Sequence, residues 1–253
     1  MISPAKTDKK VVIEVENVSK TFKVGDNEVK AVQEVDLKIY QGDFVVIFGP
    51  SGCGKTTLLN MMTGLDEPTS GRVEVNGQNI FNLDEDERGL FRSRHIGFVQ
   101  QMSYWVKSLN VLENVALPLM IEGRKASNAM RTARLMLNEI KIKKLGTQLP
   151  TQLSGGEQQK AGVARALVSN PNILFADEPT GNLDSKSAGE IIKLFYYLNK
   201  ELNRTIVMVT HNQNYWESGN RRVEMKDGEI VGDHNHHDGY IKENGYVKLK
   251  AEK

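Results

Sequence analysis

The chain has 253 residues, with 33 Lys and Arg against 32 Asp and Glu, so its formal net charge is +1. This balance excludes the bulk positive field by which many proteins bind nucleic acid or an anionic membrane surface. Cys53 is the single cysteine, so no disulfide can form within the chain and a reducing, cytoplasmic compartment is favoured. The first ten residues lack the apolar core of a signal peptide, and no later stretch has the ~20 apolar residues of a membrane span.

The first part of the chain predicts an antiparallel sheet. Within residues 11–40, apolar Val35, Leu37 and Ile39 alternate with polar residues, the period of half-buried strands. "DFVVIFG" is a nearly continuous apolar run, typical of a strand buried on both faces, and a glycine-rich turn and a helical "TTLLNMMTGL" follow it. "GRVEVNGQNI" then predicts an edge strand whose Asn-Gly turn closes the first sheet.

The second half predicts a helical region and a return to strand–helix alternation. From Leu112 to Gly146 the pattern is helical, with Gly146 as the C-terminal cap and an apolar face formed by Met130, Ala133, Met136, Leu137 and Ile140. "NILFAD" and "TIVMVT" are typical of buried strands, with a helix over residues 185–202 between them. The C-terminal segment with "DHNHHDGY" is polar and predicted to be irregular, and the uneven spacing of its histidines favours a solvated segment over a metal site.

A phosphate-binding loop is the most specific motif. "GPSGCGKT" fits G-x-x-x-x-G-K-[ST] between a predicted strand and a predicted helix, whereas an incidental glycine-rich turn is the disfavoured alternative. Glycines let backbone N–H groups converge on phosphate oxygens, Lys55 adds a cation, and the Thr56 hydroxyl can ligate Mg²⁺. The predicted nucleotide contacts are Gly49, Pro50, Ser51, Gly52, Cys53, Gly54, Lys55, Thr56 and Thr57.

Carboxylates and a histidine follow two other predicted strands. In "ILFADEP", Asp177 and Glu178 end a buried strand, where parallel sheets carry ligand chemistry. Asp177 can hold Mg²⁺ through water and Glu178 can act as general base on the attacking water, although an acidic pair that starts a helix before Pro179 is the alternative. His211 can contact a γ-phosphate or that water, but a lone histidine is more often an ordinary surface or packing residue.

Together these motifs resemble the ATP-binding cassette (ABC) ATPases, with "GPSGCGKT" as Walker A, "LSGGE" as signature, "ILFADE" as Walker B, "NLD" as D-loop and His211 as switch histidine. The resemblance covers nearly the whole chain. It implies an α/β fold with a P-loop NTPase core and a mostly parallel sheet, an N-terminal antiparallel β subdomain and an inserted helical subdomain. The implied boundaries are 1–101 and 160–233 for the RecA-like core with the β subdomain, 102–159 for the helical subdomain and 234–253 for a polar tail.

The signature motif offers an explanation for two glycines at the start of a predicted helix. In "LSGGEQQKAGVARAL", Ser154 and Glu157 form a capping-box pattern, yet Gly155 and Gly156 weaken the first turn by roughly 1 kcal/mol each. By the resemblance, nucleotide is held between Walker A of one subunit and the signature of another, so glycines would let the backbone close on a γ-phosphate. A capping box that happens to contain glycines is the alternative, and it leaves both glycines unexplained.

The resemblance also assigns roles to residues outside the most specific motifs. Phe22 occupies the position of the aromatic residue that stacks on adenine, where tyrosine is commoner, and a core phenylalanine is the rival interpretation. "IGFVQQ" makes Gln101 the Mg²⁺-sensing glutamine, with Gln100 where an aromatic is frequent. Asp184 belongs to the D-loop, and Glu157 replaces a more usual glutamine.

"DEPTGNLD" and "LENVALPL" most resemble the branch of lipoprotein-release, macrolide-exporter and FtsE-like ATPases, whose partners are membrane proteins with few spans. Tyr104, Trp105 and Val106 follow the glutamine segment, where such ATPases receive a partner's coupling helix. Core packing is the equally weighted alternative for Trp105.

We therefore expect an ATPase subunit peripheral to the cytoplasmic face of the cell membrane, which binds ATP and Mg²⁺. It pairs with a second ATPase subunit, most simply as a homodimer, and drives shape changes in transmembrane permease subunits, with no nucleic-acid partner. A regulatory module that signals through a membrane protein to an extracellular enzyme is the alternative. A soluble cassette protein of DNA repair or translation is disfavoured, because neither heptads nor a second cassette occurs.

Overall fold

The computed structural model describes residues 9–101, 104–235, 240–243 and 246–249. In chain order the elements are β1 (Val11–Val24), β2 (Asn27–Tyr40), β3 (Phe44–Phe48), α1 (Lys55–Met62), β4 (Ser70–Val75), β5 (Gln78–Asn79), α2 (Glu85–His95), β6 (Ile96–Val99), α3 (Val111–Ile121), α4 (Ala126–Glu139), α5 (Gly155–Leu167), β7 (Ile173–Asp177), α6 (Ser185–Lys200), β8 (Thr205–Thr210), β9 (Arg221–Lys226), β10 (Glu229–Asn235), β11 (Tyr240–Glu243) and β12 (Tyr246–Leu249).

A six-stranded sheet with strand order β10-β9-β3-β8-β7-β6 forms the centre. β9, β3, β8, β7 and β6 pair in parallel, and β10 runs antiparallel to β9. Every residue of β3 and β8 is buried, which explains their continuous apolar sequences. The mostly parallel sheet predicted from the sequence is confirmed, and its parallel strands bring the loops after β3, β7 and β8 to one edge.

The N-terminal antiparallel sheet is also confirmed, with strand order β2-β1-β4-β5. Asn76 and Gly77, with φ of 53° and 77°, join β4 to β5, as the left-handed pair of a tight hairpin requires. α1 buries Leu58, Leu59 and Met62 in a core shared with residues of both sheets. Burial of each such side chain contributes roughly 1.5–3 kcal/mol, so the helix after the phosphate-binding loop is held from two sides.

The helical region packs α3, α4 and α5 around a separate apolar cluster. Its predicted apolar face is confirmed, since Ala133, Leu137 and Ile140 are buried and Met130 and Met136 pack against the same cluster. α5 and α6 cover the face of the central sheet opposite α1 through a further cluster that includes Val163, Phe195 and Met208.

The helical region predicted from Leu112 to Gly146 is confirmed, but Gly146 as its C-terminal cap is wrong. The chain forms two helices, α3 and α4, with a turn at Gly123, whose φ is 85°. α4 ends at Glu139, and Gly146, with φ of −56°, follows a short 3₁₀ turn instead of ending a long helix. The two helices double back so that their apolar faces are buried against α5 and against each other. α4 ends before Gly146 because Lys141, with φ of 63°, takes the left-handed position that a C-terminal glycine usually fills.

Helix α2 was not predicted, because it buries no residue completely and so has little apolar periodicity. Its start has a readable signal: the Asp84 side chain accepts from the N–H of Glu87, and the Glu87 side chain accepts from the N–H of Asp84. Acidic residues occupy the first turn and basic residues the last, which complements the helix dipole.

The irregular C-terminal segment expected from residue 234 is wrong where the structure describes it. His234 and Asn235 belong to β10 and pair with β9, while β11 and β12 form a two-stranded antiparallel sheet. β10 is exposed or half-buried along its length, so a strand there tolerates a polar sequence. His236 and His237 lie outside the described residues. In the described part of the chain, every helix is too short or too polar to cross a bilayer.

Candidate functional site

Loops at the carboxyl edge of the central sheet line a cavity of about 340 Å³. Five separated parts of the chain contribute to it: Ala31 of β2, residues 51, 52 and 54–57 of the phosphate-binding loop and the start of α1, Gln101 after β6, Glu178 after β7 and His211 after β8. The structure thus brings together the predicted loop, one of the two predicted carboxylates, one glutamine and the histidine. Ala31 is a lining residue that the sequence did not indicate.

The phosphate-binding loop connects buried β3 to α1. Gly54 precedes α1 with φ of 97°, and a Cβ there would lie 2.1 Å from the Ala31 carbonyl oxygen. Only glycine fits this left-handed, crowded position. Gly49 and Cys53 are buried on the inner side of the loop, whereas Ser51 and Gly52 are exposed at the cavity.

Lys55 lies beneath the loop with 7 % of its surface exposed. Its Nζ donates to the carbonyl oxygens of Gly49 at 2.9 Å and Pro50 at 2.7 Å, and lies 3.7 Å from Cys53 Sγ. Both acceptors are neutral carbonyls, and the ammonium also interacts electrostatically with Asp177. An anionic phosphate at the adjacent backbone N–H groups would add negative charge beside the ammonium, so the loop fits a nucleoside triphosphate.

Thr56 and Asp177 place two oxygen donors side by side. The Thr56 hydroxyl donates to Asp177 Oδ1 at 3.1 Å. Burial raises the pKa of Asp177, and the hydrogen bond from Thr56 only partly offsets this effect. Hydroxyl and carboxylate oxygens are the ligands that Mg²⁺ prefers, so this pair fits a magnesium ion next to the loop.

Glu178 is tied to the loop after β8. Its Oε1 accepts from the backbone N–H of His211 at 2.9 Å and lies 2.7 Å from His211 Nδ1, while Oε2 accepts from the Thr210 hydroxyl at 3.3 Å. Glu178 also has φ of 46°, a left-handed conformation that costs a non-glycine residue roughly 1–2 kcal/mol. Thr210 was not among the predicted site residues, although a polar residue at the end of a buried strand is a signal that could have indicated it.

The two glutamines after β6 differ in position. Gln101 lines the cavity and its Nε2 donates to Asn182 Oδ1 at 3.4 Å. Gln100 does not line the cavity, and its carbonyl oxygen accepts from Gln159 Nε2 at 3.2 Å. Through this hydrogen bond, Asn182 joins Gln101 to the loop that follows Glu178. Asn182 was not among the predicted site residues.

The predicted signature residues lie outside this cavity. The capping box at the start of α5 is present: the Ser154 N–H donates to Glu157 Oε2 at 3.1 Å, and the Ser154 hydroxyl accepts from the Glu157 N–H at 3.4 Å. The hydrogen bonds from Ser154 lower the pKa of Glu157. The N–H groups of Gly155 and Gly156 have no acceptor in the described ranges.

Asp184 and Phe22 are also absent from the cavity wall. The Asp184 carboxylate caps α6 by accepting from the Ser187 hydroxyl at 2.6 Å and from the N–H groups of Lys186 and Ser187, each at 3.0 Å. The bonds from Ser187 lower the pKa of Asp184. Phe22 is 37 % exposed, so the core interpretation is wrong, and Lys20 Nζ lies 5.0 Å from its ring centroid.

Residues 104–106, which follow Gln101, are exposed at two positions and packed against the helical cluster at one. Tyr104 is 72 % exposed and Val106 41 % exposed, while Trp105 packs against the helical cluster. The Arg165 guanidinium lies 4.5 Å from the Trp105 ring centroid, and it donates to the Tyr104 carbonyl oxygen at 2.6 Å.

A larger cavity of about 650 Å³ lies between β1, β2 and the start of β10. Its wall carries Glu34, Asp36 and Glu229 against one cation, Lys30, and none of the predicted site residues. A triphosphate therefore fits the smaller cavity better, because that cavity has the loop N–H groups and the buried ammonium of Lys55.

The site defines a P-loop nucleoside triphosphatase. It has a glycine-rich loop at the end of a parallel strand, a buried lysine, and carboxylates at the end of another strand of the same sheet. The model of the ABC transporter family matches residues 32–181. An ABC transporter ATP-binding protein of Methanocaldococcus jannaschii, MJ1508, is 44 % identical over 220 residues, which cover 87 % of this chain and 98 % of that protein. The lipoprotein-releasing system ATP-binding protein LolD of Syntrophus aciditrophicus is 42 % identical over 220 residues, with 87 % and 99 % covered.

A solved structure extends the similarity to three dimensions. The dimeric post-hydrolysis state of the ATP-binding cassette MJ0796 bound to ADP and Pi matches with a TM-score of 0.82 and 39 % identity, covering 89 % of this chain and 99 % of that one. The chain belongs to the ABC transporter family, as one of its ATPases, and its relatives place it in the lipoprotein-release type of branch.

Proposed function

We propose that this ATPase pairs with a second ATPase subunit, most simply an identical copy, around two MgATP molecules. Binding and hydrolysis then close and open the pair at the cytoplasmic face of the cell membrane and change the conformation of transmembrane permease subunits. The observation that carries this proposal is the division of the predicted residues: one set lines the cavity, and the signature set lies outside it, with two N–H groups that have no acceptor among the described residues. No role for nucleic acid is proposed.

The proposed roles follow the positions of the residues. Residues 49–57 bind the triphosphate, Phe22 stacks on adenine, and the partner's site receives Ser154, Gly155, Gly156, Glu157 and Asp184. Thr56, Gln101 and, through water, Asp177 would hold Mg²⁺. Bound there, the ion would neutralise charge on the β- and γ-phosphates. The subdomain boundaries at residues 101, 159 and 233 remain part of the proposal.

In the proposed reaction, a water oxygen attacks the γ-phosphorus and the bond from that phosphorus to the β–γ bridging oxygen breaks, which yields ADP and phosphate. Glu178 accepts a proton from the water, and His211 orients Glu178. A carboxylate has about four acceptor positions, and three donors from Thr210 and His211 occupy three of them. One acceptor position is left for the water.

The permease partner is supported by the names of the relatives, among them a lipoprotein-releasing system, and by the exposure of Tyr104 and Val106 beside the glutamine segment. The regulatory module that signals through a membrane protein would retain the same site residues. Purification of the tagged full chain from membranes, with identification of the bound polypeptide, distinguishes the two. A permease supports the proposal, while a bound protein that carries no substrate favours the regulatory module.

The chemistry is tested by Glu178→Gln, which removes the base and keeps the shape. We expect steady-state hydrolysis to fall roughly 10²–10⁴-fold, the usual contribution of a general base, with ATP binding retained. The matched control is Glu201→Gln at the exposed end of α6, which should keep the wild-type rate. Near wild-type hydrolysis by Glu178→Gln would remove Glu178 from its role.

A further inference from the structure

The first turns of α5 and α6 lie in contact at Gly156. A Cβ at Gly156 would lie 2.7 Å from Ser187 Oγ and 2.8 Å from Ser187 Cβ, closer than real Cβ contacts approach. Alanine at this position would therefore have to displace Ser187. Gly156 is half-buried, and the residue that crowds it belongs to the same chain.

Ser187 is held where it is. Its hydroxyl donates to Asp184 Oδ2 at 2.6 Å and its N–H donates to Asp184 Oδ1 at 3.0 Å. One turn further along both helices, Lys160 Nζ lies 2.5 Å from Glu190 Oε2, and this hydrogen bond lowers the pKa of Glu190. Since Lys160 follows Gly156 by four residues and Glu190 follows Ser187 by three, the two helices are joined on one face at two levels.

Gly155 has a different environment. A Cβ there would meet only Leu183 Cδ2, at the ordinary contact distance of 3.4 Å, and Gly155 is exposed. Packing within the chain therefore requires glycine at position 156 and not at position 155. For Gly156, contact with Ser187 is therefore a second reason for glycine, one that needs no ligand, beside the proposed close approach to a phosphate.

The contact joins two functional segments. The loop that follows β7 begins with Glu178 and ends at Asp184, which caps α6 and holds Ser187. Ser187 in turn touches the start of α5, where the unpartnered N–H groups of Gly155 and Gly156 lie. A short continuous path therefore leads from the hydrolytic carboxylate to the signature turn.

We propose that Ser187 is a positioning residue, whose contact with Gly156 fixes the signature turn to the loop that carries Glu178. Each chain supplies the Glu178 loop to its own site and the signature turn to the partner's site. Through Ser187, these two segments then move as one body. This inference rests on the proposed function, because it requires the signature turn of one chain to complete the cavity of another.

The test is a rescue experiment in the full chain. Gly156→Ala should lower kcat for ATP hydrolysis roughly 10²-fold, the scale of an ångström misplacement near a reacting group, with unchanged ATP affinity of the separate chain. Adding Ser187→Gly, which clears the space for the new Cβ but also removes the hydroxyl that bonds Asp184, should raise kcat from the level of Gly156→Ala to that of Ser187→Gly alone. The matched control adds Ser185→Gly instead; Ser185 starts α6 without crowding Gly156, so this change should restore nothing.

Heterodimers whose chains carry different tags test whether Gly156 and Ser187 act within one chain or between two chains. A dimer with both substitutions in one chain and none in the other should be more active than a dimer with Gly156→Ala in one chain and Ser187→Gly in the other. Equal rates, or a double variant as impaired as Gly156→Ala alone, would overturn the proposal. So would wild-type kcat for Gly156→Ala.

Ser187→Ala provides a second variant should Gly156→Ala not fold. It removes the hydrogen bond to Asp184 and keeps the backbone, so we expect kcat to fall with ATP affinity and Tm unchanged; wild-type kcat would contradict the positioning role. Glu178→Gln is assayed in parallel. If Glu178→Gln hydrolyses ATP normally, the proposed function fails, whereas failure of the rescue alone counts only against Ser187.

Discussion

Glu178 Oε1 accepts the backbone N–H of His211 at 2.9 Å and lies 2.7 Å from His211 Nδ1, so one oxygen carries both contacts between the loops after β7 and β8. An ionised carboxylate only accepts, so Nδ1 is the protonated ring nitrogen in this arrangement. Oε2 has a single, longer bond from the Thr210 hydroxyl at 3.3 Å. Oε2 is therefore the oxygen of Glu178 that has acceptor capacity for water.

His211→Ala should lower kcat roughly 10²-fold, the lower end of acid–base contributions, because Glu178 loses the side chain that fixes its orientation. ATP affinity should change little, since the phosphate-binding loop is untouched. Single-turnover hydrolysis and equilibrium binding separate the two quantities. Gln213→Ala, an exposed change two residues on, serves as control, and an unchanged kcat in His211→Ala would contradict the orienting role.

Asp177→Asn should stabilise the nucleotide-free chain. Because burial raises the pKa of Asp177 in the folded state, the folded chain binds more protons than the unfolded chain between the two pKa values. Stability therefore falls as pH rises through that window, and the ionised carboxylate is unfavourable above it. We expect a higher Tm than that of the wild type at neutral pH, with loss of hydrolysis.

Thermal unfolding without ATP or Mg²⁺, measured from neutral pH down to about pH 4, checks this sign. The difference between Asp177→Asn and wild type should shrink as the pH approaches the ordinary carboxyl value of about 3.9. A variant less stable than wild type at neutral pH would refute the prediction.

Arg221→Ala should strongly destabilise the fold. Arg221 is 6 % exposed and binds Asp233 through two nitrogens at 2.8 and 2.6 Å, and its Nη1 lies 3.7 Å from Asp43, itself 4 % exposed. Its removal leaves Asp43 buried with less compensating charge, and breaking a buried pair costs about 3–5 kcal/mol.

Arg72→Ala is the matched comparison for Arg221→Ala. Arg72 pairs with Glu16 at 2.7 Å, but both side chains are more than 40 % exposed, so solvent screens this pair and its loss should reduce stability much less than the loss of Arg221. Urea unfolding of both variants measures the difference. Equal losses would show that burial of the charges at Arg221 does not matter.

The sequence predicted best what a single local pattern determines. β3 and β8 are buried on both faces, so their apolar runs identified them, and the phosphate-binding loop had its strand and helix neighbours. The sequence did not predict α2, because this helix buries no residue completely. It did not predict β10, because an exposed edge strand can have a polar sequence. Gly146 was misassigned because α4 ends earlier, where Lys141, a residue that rarely adopts positive φ, has φ of 63°.

The same distinction applies within the site. Lys55 and Glu178 could be assigned from their motifs. The crowding of Gly156 by Ser187 could not, since it depends on how two helices 30 residues apart in the chain, from Gly155 to Ser185, are placed side by side. Contacts between such segments are set by tertiary packing, and one sequence contains no direct signal of them.

The central claim, that one chain supplies only half of each nucleotide site, is tested most directly by sedimentation velocity of Glu178→Gln with and without MgATP. The account predicts monomers without nucleotide and dimers with it, since ATP that is not hydrolysed holds two chains together. A species that binds ATP fully and remains monomeric, while the wild-type rate per chain is independent of protein concentration, would contradict it.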